Sequence, residues 1–232
     1  MIMGFKKLIK SIIMRSEYLS RFYLHSLLKL HNMSYNLIGP AAIQFNNGIH
    51  PKRRIINYEK WFFDKVNEGD KVIDIGCNRG YLCSYISHKC SEVIGIDLDK
   101  SHIEYAKKNY PLNNLEFIHA DATEVDLADL APQKLILSNV LEHIEFRVDF
   151  LKRLKELTKK VDELKILIRV PLIERDWLAV FKKDFGIDYR LDPTHFTEYT
   201  QSEFHEELSL AGLEILESKI QFGELYAVTK FR

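Results

Sequence analysis

The sequence predicts an α/β protein: a Rossmann-like, doubly wound, mostly parallel seven-stranded sheet with an antiparallel carboxyl-terminal hairpin and an amino-terminal helical appendage. Three observations predict it. From Lys71 onward, short runs of branched apolar residues alternate with amphipathic stretches, which is the pattern of βαβ units. The first of these runs stops abruptly at a glycine, in "VIDIGCNRGYL" from Val72 to Leu82, as a buried strand does when something must approach its backbone closely. The last two apolar runs are separated only by "QFGE", a link too short for any but antiparallel neighbours.

Taken in order, residues 1 to about 32 read as one amphipathic helix. At 100° per residue Phe5, Leu8, Ile9, Ile12, Leu19, Tyr23, Leu27 and Leu30 share a face, with Lys6, Lys7, Lys10, Arg21 and His25 opposite. A hinge-like stretch, "NLIGPAAIQFNNGIHPKRR", follows, and 57–66 reads as a second helix. These segments divide the chain into an appendage with its connector, 1–56, and a main domain, 57–232. In that domain "KVIDI", "EVIGID", "LEFIHA", "KLILSN" and "ELKILIRV" are strands. "YLCSYISHK", "SHIEYAKKN" and "FRVDFLKRLKELTKK" are the helices between them. "TQSEFHEELSLAGLEILESKI" reads as helix, glycine, strand, and "ELYAVTKF" closes the hairpin.

Composition narrows the function. The 232 residues are 46% hydrophobic and 28% charged with formal net charge +0, enough apolar material for a full core and no electrostatic case for wrapping nucleic acid. The three cysteines, Cys77, Cys83 and Cys90, form no CxxC pair; they point to a reducing, cytoplasmic setting and away from a disulfide framework or a zinc knuckle. No apolar run approaches a membrane span. Residues 1–32 carry six basic side chains against the single acid Glu17, so the appendage suits either peripheral contact with an anionic membrane or packing on protein, as a cap over the pocket or in a homodimer.

In a parallel sheet of this kind, ligands bind beyond the carboxyl ends of the strands. Asp97 closes the second strand 21 residues after Gly76, where an acid suits the two hydroxyls of a ribose. A dinucleotide fingerprint is excluded, because its second and third glycines would fall on Asn78 and Tyr81. The sequence that does fit is acid-x-Gly-x-Gly-x-Gly, through Asp74, Gly76 and Gly80, with Asn78 at the middle glycine; Asn tolerates positive φ better than most residues.

On these residues the chain resembles the class I S-adenosylmethionine-dependent methyltransferases. "HADAT" after the third strand and "SNVLEHIE", Ser138–Glu145, after the fourth extend the likeness, and so does "DPTHFTEYTQSEFHEELSLAGLEI". The "LEH" segment is similar to that of small-molecule methyltransferases and unlike the Pro-Pro segment of enzymes acting on base amines. The resemblance implies S-adenosylmethionine as cofactor and S-adenosylhomocysteine as product. It implies a cofactor site of Asp74, Gly76, Cys77, Asn78, Gly80, Asp97, Leu98, Asp121, Ala122 and Asn139, with Asp121 receiving the adenine amino group and Ala122 against the ring. It also implies that Arg53 or Arg54, in "HPKRR", pairs with the carboxylate of the cofactor's methionine half, a task suited to a planar guanidinium.

Methyl transfer to oxygen needs alignment and loss of the acceptor's proton. His195 and His143 fall in segments that the fold sets above the strand ends, and they are the candidate bases, His195 being preferred with Thr194 and Asp192 to orient it. Asp192, His195 and His143 also resemble a metal-ligand set, but no spacing demands one and no metal is expected. The expected acceptor is a small molecule or a lipid- or glycan-linked intermediate; the alternatives are a protein or RNA methyltransferase, or a non-catalytic partner subunit that binds an adenosyl ligand.

Overall fold

The computed structural model describes residue 11 and residues 15–232, apart from 126, 128, 129, 160 and 162. The expected helix positions Phe5 to Lys10 and Ile12 lie outside the described residues. The described residues form two compact units: those up to Ile55 together with Trp177–Tyr189, and Ile56–Asp176 together with Arg190–Arg232.

In the first unit, helix α1 spans Glu17–Phe45. Ser16 caps it, its hydroxyl accepting from the Leu19 N–H at 3.4 Å. The helix continues through Gly39 and Pro40, which the sequence reading had taken for a hinge. Proline removes one N–H and strains one turn, and the residues after it, Ala41, Ala42 and Ile43, resume the helix. The real stop is "NNG": the Asn46 N–H closes onto the Ala42 and Ile43 carbonyls, and Asn47 and Gly48 take left-handed φ. The described residues of the apolar stripe are exposed within the chain. Leu19, Tyr23, Leu27 and Leu30 are 43–52% exposed, whereas Leu28 is 4% exposed. The side of Arg21, His25, Leu28 and Asn32, spaced at helical repeats, is the one that meets α7 (Trp177–Asp184) and the residues just after it. There Asn32 donates to the Asp188 carbonyl at 2.7 Å, Lys182 donates to Asn32 at 2.6 Å, and the Arg21 guanidinium lies 5.5 Å from the Phe185 ring centre. Hydrogen bonds and ring contacts from a segment 150 residues away hold this polar side. Helix α2 spans Pro51–Ile56. No helix among the described residues is long and apolar enough to cross a membrane.

The second unit begins with α3 (Tyr58–Lys65) and then alternates: β1 (Lys71–Ile75), α4 (Tyr81–Ser87), β2 (Glu92–Asp97), α5 (Lys100–Asn109), β3 (Leu115–His119), β4 (Lys134–Ser138), α6 (Arg147–Leu157) and β5 (Lys165–Pro171). It ends with α8 (Gln201–Leu210), β6 (Leu213–Gln221) and β7 (Glu224–Phe231). The seven strands lie in the order β3-β2-β1-β4-β5-β7-β6. Six run in one direction; β7 enters between β5 and β6, antiparallel to both. Chain order reverses between β1 and β4, so the crevice at their carboxyl ends is the switch point where such sheets bind ligands.

Both faces of the sheet are covered, and period-2 alternation sorts the strands between them. Ile73, Ile75, Leu135, Leu137, Ile166 and Ile168 pack with Phe150 and Leu154 of α6 and Phe204 and Leu208 of α8. Val72, Val93, Ile136 and Leu167 pack with Phe62 of α3, Cys83 and Ile86 of α4 and Ile103 of α5.

Gly80 links β1 to α4 at φ 76°, and a Cβ there would meet the Phe117 ring at 2.6 Å and the Ala106 Cβ at 3.0 Å. Gly69 has φ 82° with open space around it. Gly69→Ala should therefore cost only left-handed strain, about 1–2 kcal/mol. Gly80→Ala should cost a further 1–3 kcal/mol or so for overpacking. Urea denaturation of the two variants checks the difference; equal losses would remove the role given to the close helix–strand approach.

Candidate functional site

The chain must leave β1 and start α4 within five residues. It does so with Gly76, Asn78 and Gly80 all at positive φ, 72°, 51° and 76°. At Gly76 a Cβ would lie 2.6 Å from the Val140 side chain. The turn is closed by Asp97 at the end of β2, whose Oδ2 accepts from the Asn78 N–H at 2.7 Å and whose Oδ1 accepts from the Asp99 N–H at 2.9 Å. Asp121, after β3, accepts from the Thr123 N–H and hydroxyl at 2.8 and 2.7 Å.

Two cavities open at this end of the sheet. The larger, about 700 Å³, is lined by Gly76, Asn78, Asp97, Leu98, Asp121, Ala122, Asn139, His143 and Phe146, among others. The smaller, about 310 Å³, is lined by Tyr58, Asp74, Cys77, Tyr81, Ser138 and Arg169 and shares Gly76, Asn78, Asn139 and His143 with the first. The structure thus gathers nine of the expected cofactor residues around one crevice: Asp74, Gly76, Cys77, Asn78, Asp97, Leu98, Asp121, Ala122 and Asn139. Gly80 shapes the turn behind it without lining either cavity. Arg53 and Arg54 belong to α2, with the other unit.

The smaller cavity holds polar groups left unsatisfied within the protein. Arg169 on β5 is 7% exposed; it stacks on Tyr58 at 3.8 Å and its Nη1 lies 3.6 Å from Glu224. Its Nε and Nη1 have no hydrogen-bond partner, and neither do Asp74 Oδ1 and Asn139 Oδ1. Sequence reasoning missed Arg169, because one arginine in an otherwise apolar run reads as a strand-edge charge. The signal was present: a cation inside a fully buried parallel strand needs a partner. Burial pushes the Asp74 carboxyl up to about 7, opposed by a hydrogen bond from the Cys83 thiol at 3.1 Å.

The candidate bases are side by side, their ring centres 4.7 Å apart and edge-to-face. They differ in setting. His195 is buried and its Nδ1 lies 3.2 Å from Glu198 Oε1, while the other carboxylate oxygen of Glu198, Oε2, is ion-paired with Arg175. His143 is exposed and lines both cavities. Thr194 and Asp192 orient His143, where the sequence reading had them orient His195: Thr194 gives its hydroxyl proton to Asp192 Oδ1 at 2.6 Å, and the same hydroxyl oxygen lies 2.9 Å from His143 Nδ1. An oxygen whose proton is committed can only accept there, so Nδ1 carries the ring proton and Nε2 keeps a lone pair. The reason for the difference is the tight turn from Asp192 to Thr194, closed by the Thr194 N–H on Asp192 Oδ1 at 2.8 Å, which leaves the hydroxyl within reach of His143. Burial, then the neighbouring His195, lowers the His143 pKa. Beside them Glu142 is fully buried, and desolvation raises its pKa to about 7.

Residues 73–161 match the family model described as a methyltransferase domain. A ribosomal protein L11 methyltransferase of Thermotoga neapolitana is 28% identical over 141 residues, 57% of this chain and 48% of that protein; the chain thus spans about half of that relative's length. Among solved structures, the magnesium protoporphyrin IX methyltransferase of Synechocystis with bound S-adenosylhomocysteine is 17% identical, covers 78% of this chain and 83% of that one, and has a TM-score of 0.59. The methyltransferase in complex with the Trm112 activator of Haloferax volcanii is 15% identical over 77% of this chain and 91% of that one, with a TM-score of 0.62.

Asp74 gives a pH dependence with a definite sign. Its carboxyl titrates near 3.8 when unperturbed and at about 7 in the fold. Between those values the folded chain holds a proton that the unfolded chain releases, so stability falls as pH rises across that window. Asp74→Asn should flatten this slope in urea denaturation on either side of the window. A slope unchanged in the variant would show that Asp74 is not its source.

Proposed function

We propose that this chain, a member of the class I S-adenosylmethionine-dependent methyltransferases, transfers the sulfonium methyl of that cofactor to an oxygen of a small-molecule or lipid- or glycan-linked acceptor. In this reading the larger cavity takes the adenosine half. Asp97 still has acceptor capacity for the ribose hydroxyls, and Asp121 with Ala122 takes the adenine. The smaller cavity takes the methionine half: a zwitterion carries one ammonium and one carboxylate, and the cavity offers an unpaired carboxyl oxygen of Asp74 and unpaired N–H groups of Arg169. The carboxylate role expected of Arg53 or Arg54 then passes to Arg169, whose guanidinium is already fixed by Tyr58.

These assignments are tested with S-adenosylhomocysteine by titration calorimetry. Asp97→Ala should weaken binding by about 1–3 kcal/mol and Arg169→Gln by a similar amount, while Arg53→Gln and Arg54→Gln leave it unchanged. Loss of affinity in an Arg53 or Arg54 variant instead would return the carboxylate to that residue.

The observation that carries the oxygen-acceptor reading is the chain of contacts from Asp192 through the Thr194 hydroxyl to His143 Nδ1. The ring's Nε2 lone pair belongs to a residue on the wall shared by both cavities, and its Nδ1–H is held by the Thr194–Asp192 pair. The acceptor hydroxyl gives its proton to Nε2 as its oxygen attacks the methyl. The carbon–sulfur bond breaks with its electrons going to sulfur, leaving S-adenosylhomocysteine, a methyl ether and an imidazolium that returns its proton to solvent. His143→Ala should lower turnover by about 10²–10⁴-fold with cofactor affinity little changed; His195→Ala is the comparison. A second reading, a protein acceptor, is favoured by the name of the Thermotoga relative. Methyl-labelled cofactor incubated with cell extract separates the two. Label in the small-molecule or solvent-extractable fraction supports the first reading, label in precipitated protein supports the second, and bound cofactor with no label in any fraction leaves a non-catalytic binding subunit.

A further inference from the structure

We propose that Glu142, His143 and His195 form a binding site for a first-row divalent cation of the zinc class. One ligand atom from each of the three lies within 4.8 Å of the others, the one such group among the described residues. Two imidazoles and a carboxylate are the donor types that such ions take. Glu142 replaces the Asp192 that sequence reasoning had set beside the two histidines; Asp192 is instead occupied by Thr194.

Three independent features make this more than a chance cluster. First, Glu142 is fully buried, and both of its carboxylate oxygens lack a hydrogen-bond partner. An anion in that state is costly unless a proton or a cation joins it. Second, both rings are set up as ligands from behind. His195 Nδ1 faces Glu198 Oε1 at 3.2 Å, the carboxylate–histidine arrangement that fixes a ligand's tautomer and raises its basicity. His143 Nδ1 is held through Thr194 by Asp192. Each ring therefore keeps Nε2 for the ion. Third, the loop bearing His195 is tied to the turn bearing Glu142 and His143 by a backbone hydrogen bond, Phe196 N–H to the Glu142 carbonyl at 2.8 Å. This bond holds the separated ligands together without using their side chains.

Three protein ligands leave a coordination position open. Because His143 lines both cavities, that position is reachable from the crevice. Ion binding itself does not depend on the proposed methyl transfer. Its consequence does: the ion and the acceptor's proton compete for the same Nε2 of His143, so the base role proposed above belongs to the metal-free chain, and in the metal-bound chain the ion itself makes a hydroxyl more acidic, its proton passing to solvent.

The test uses the full chain freed of metal by chelator and gel filtration, with zinc chloride and cobalt chloride as probes. Calorimetry should give one zinc per chain, weakened at least roughly tenfold in Glu142→Gln and in His143→Gln, and unchanged in Cys90→Ser. Circular dichroism of the chelated variants controls for folding, since Glu142→Gln is isosteric and His143 is exposed. The cobalt form should show visible bands of nitrogen and oxygen ligation without a thiolate charge-transfer band. Absence of zinc binding in the micromolar range, affinity in either ligand variant equal to that of the unaltered chain, or a thiolate band would overturn the site. S-adenosylhomocysteine binding is measured on the same samples. A chain that binds zinc and not the nucleoside overturns the proposed function and leaves this site; the reverse overturns this site alone.

Discussion

The backbone between Ile75 and Tyr81 is the constraint on which the rest depends. Three of its five residues must hold positive φ, a conformation that ordinary L-residues avoid. At the two glycines even a methyl group would collide with Val140 or Phe117. This compaction brings α4 directly over the strand ends and aims the Asn78 N–H at Asp97, two strands' connection away in sequence. β1 and β2 are thus joined at their carboxyl ends by a side-chain bond as well as by their ladder. The crevice between β1 and β4 then has a fixed floor. Asn139, after β4, mirrors the device: it also takes left-handed φ, and its N–H closes on the Arg169 carbonyl at 2.8 Å. Both walls of the crevice are therefore set by backbone geometry before any side chain enters it.

Within that frame the protein leaves several buried polar atoms unmatched: Asp74 Oδ1, Asn139 Oδ1, both oxygens of Glu142, and two nitrogens of Arg169. Each such group costs about 1–3 kcal/mol when dry, and a fold selected for stability alone would pair or replace them. They do not neutralise one another, since Asp74 and Arg169 line the same cavity yet leave atoms open. The pattern of open donors and acceptors is what a ligand with both signs of charge, or an ion, would complete. In the proposed reading such preorganised groups serve alignment, because a sulfonium cofactor already carries the reactive electrophile.

Much of this was legible in the sequence, for physical reasons that can be named. The period-2 apolar runs and the glycine stops gave the strands, the alternation gave the parallel sheet, and "QFGE" gave the antiparallel ending, since each signal is local. The turn residues and Asp97 were legible because positive φ and a strand-end acid restrict residue type. What could not be read was whatever depends on long-range pairing. Gly39–Pro40 looked like a break because propensity is local, while the helix stops at a capping sequence. Which side of α1 meets residues 177–189 was not legible, because Asn32, Lys182 and Arg21 set it through partners about 150 residues away. Arg169 and Glu142 were overlooked because burial, not identity, makes them unusual.

The two histidines show where residue types alone run out. Sequence places both above the sheet, and "DPTHF" puts Asp192 and Thr194 next to His195 in the chain. In space the turn that those residues make sends the Thr194 hydroxyl to His143, while His195 turns inward to Glu198 and Arg175. Neighbours in sequence thus support the histidine 51 residues away, and the ring beside them is supported from farther along the loop. A base and an ion ligand require the same preparation, a fixed Nδ1–H and an open Nε2, so the shape of either ring does not distinguish the roles. The distinction lies in the third member. A buried carboxylate at Glu142 needs a positive partner: an imidazolium formed on proton transfer supplies one for part of a catalytic cycle, and a bound ion would supply one throughout. A cation gains a ligand from it. The unpaired oxygens of Glu142, more than either histidine, therefore decide how this corner of the crevice is read.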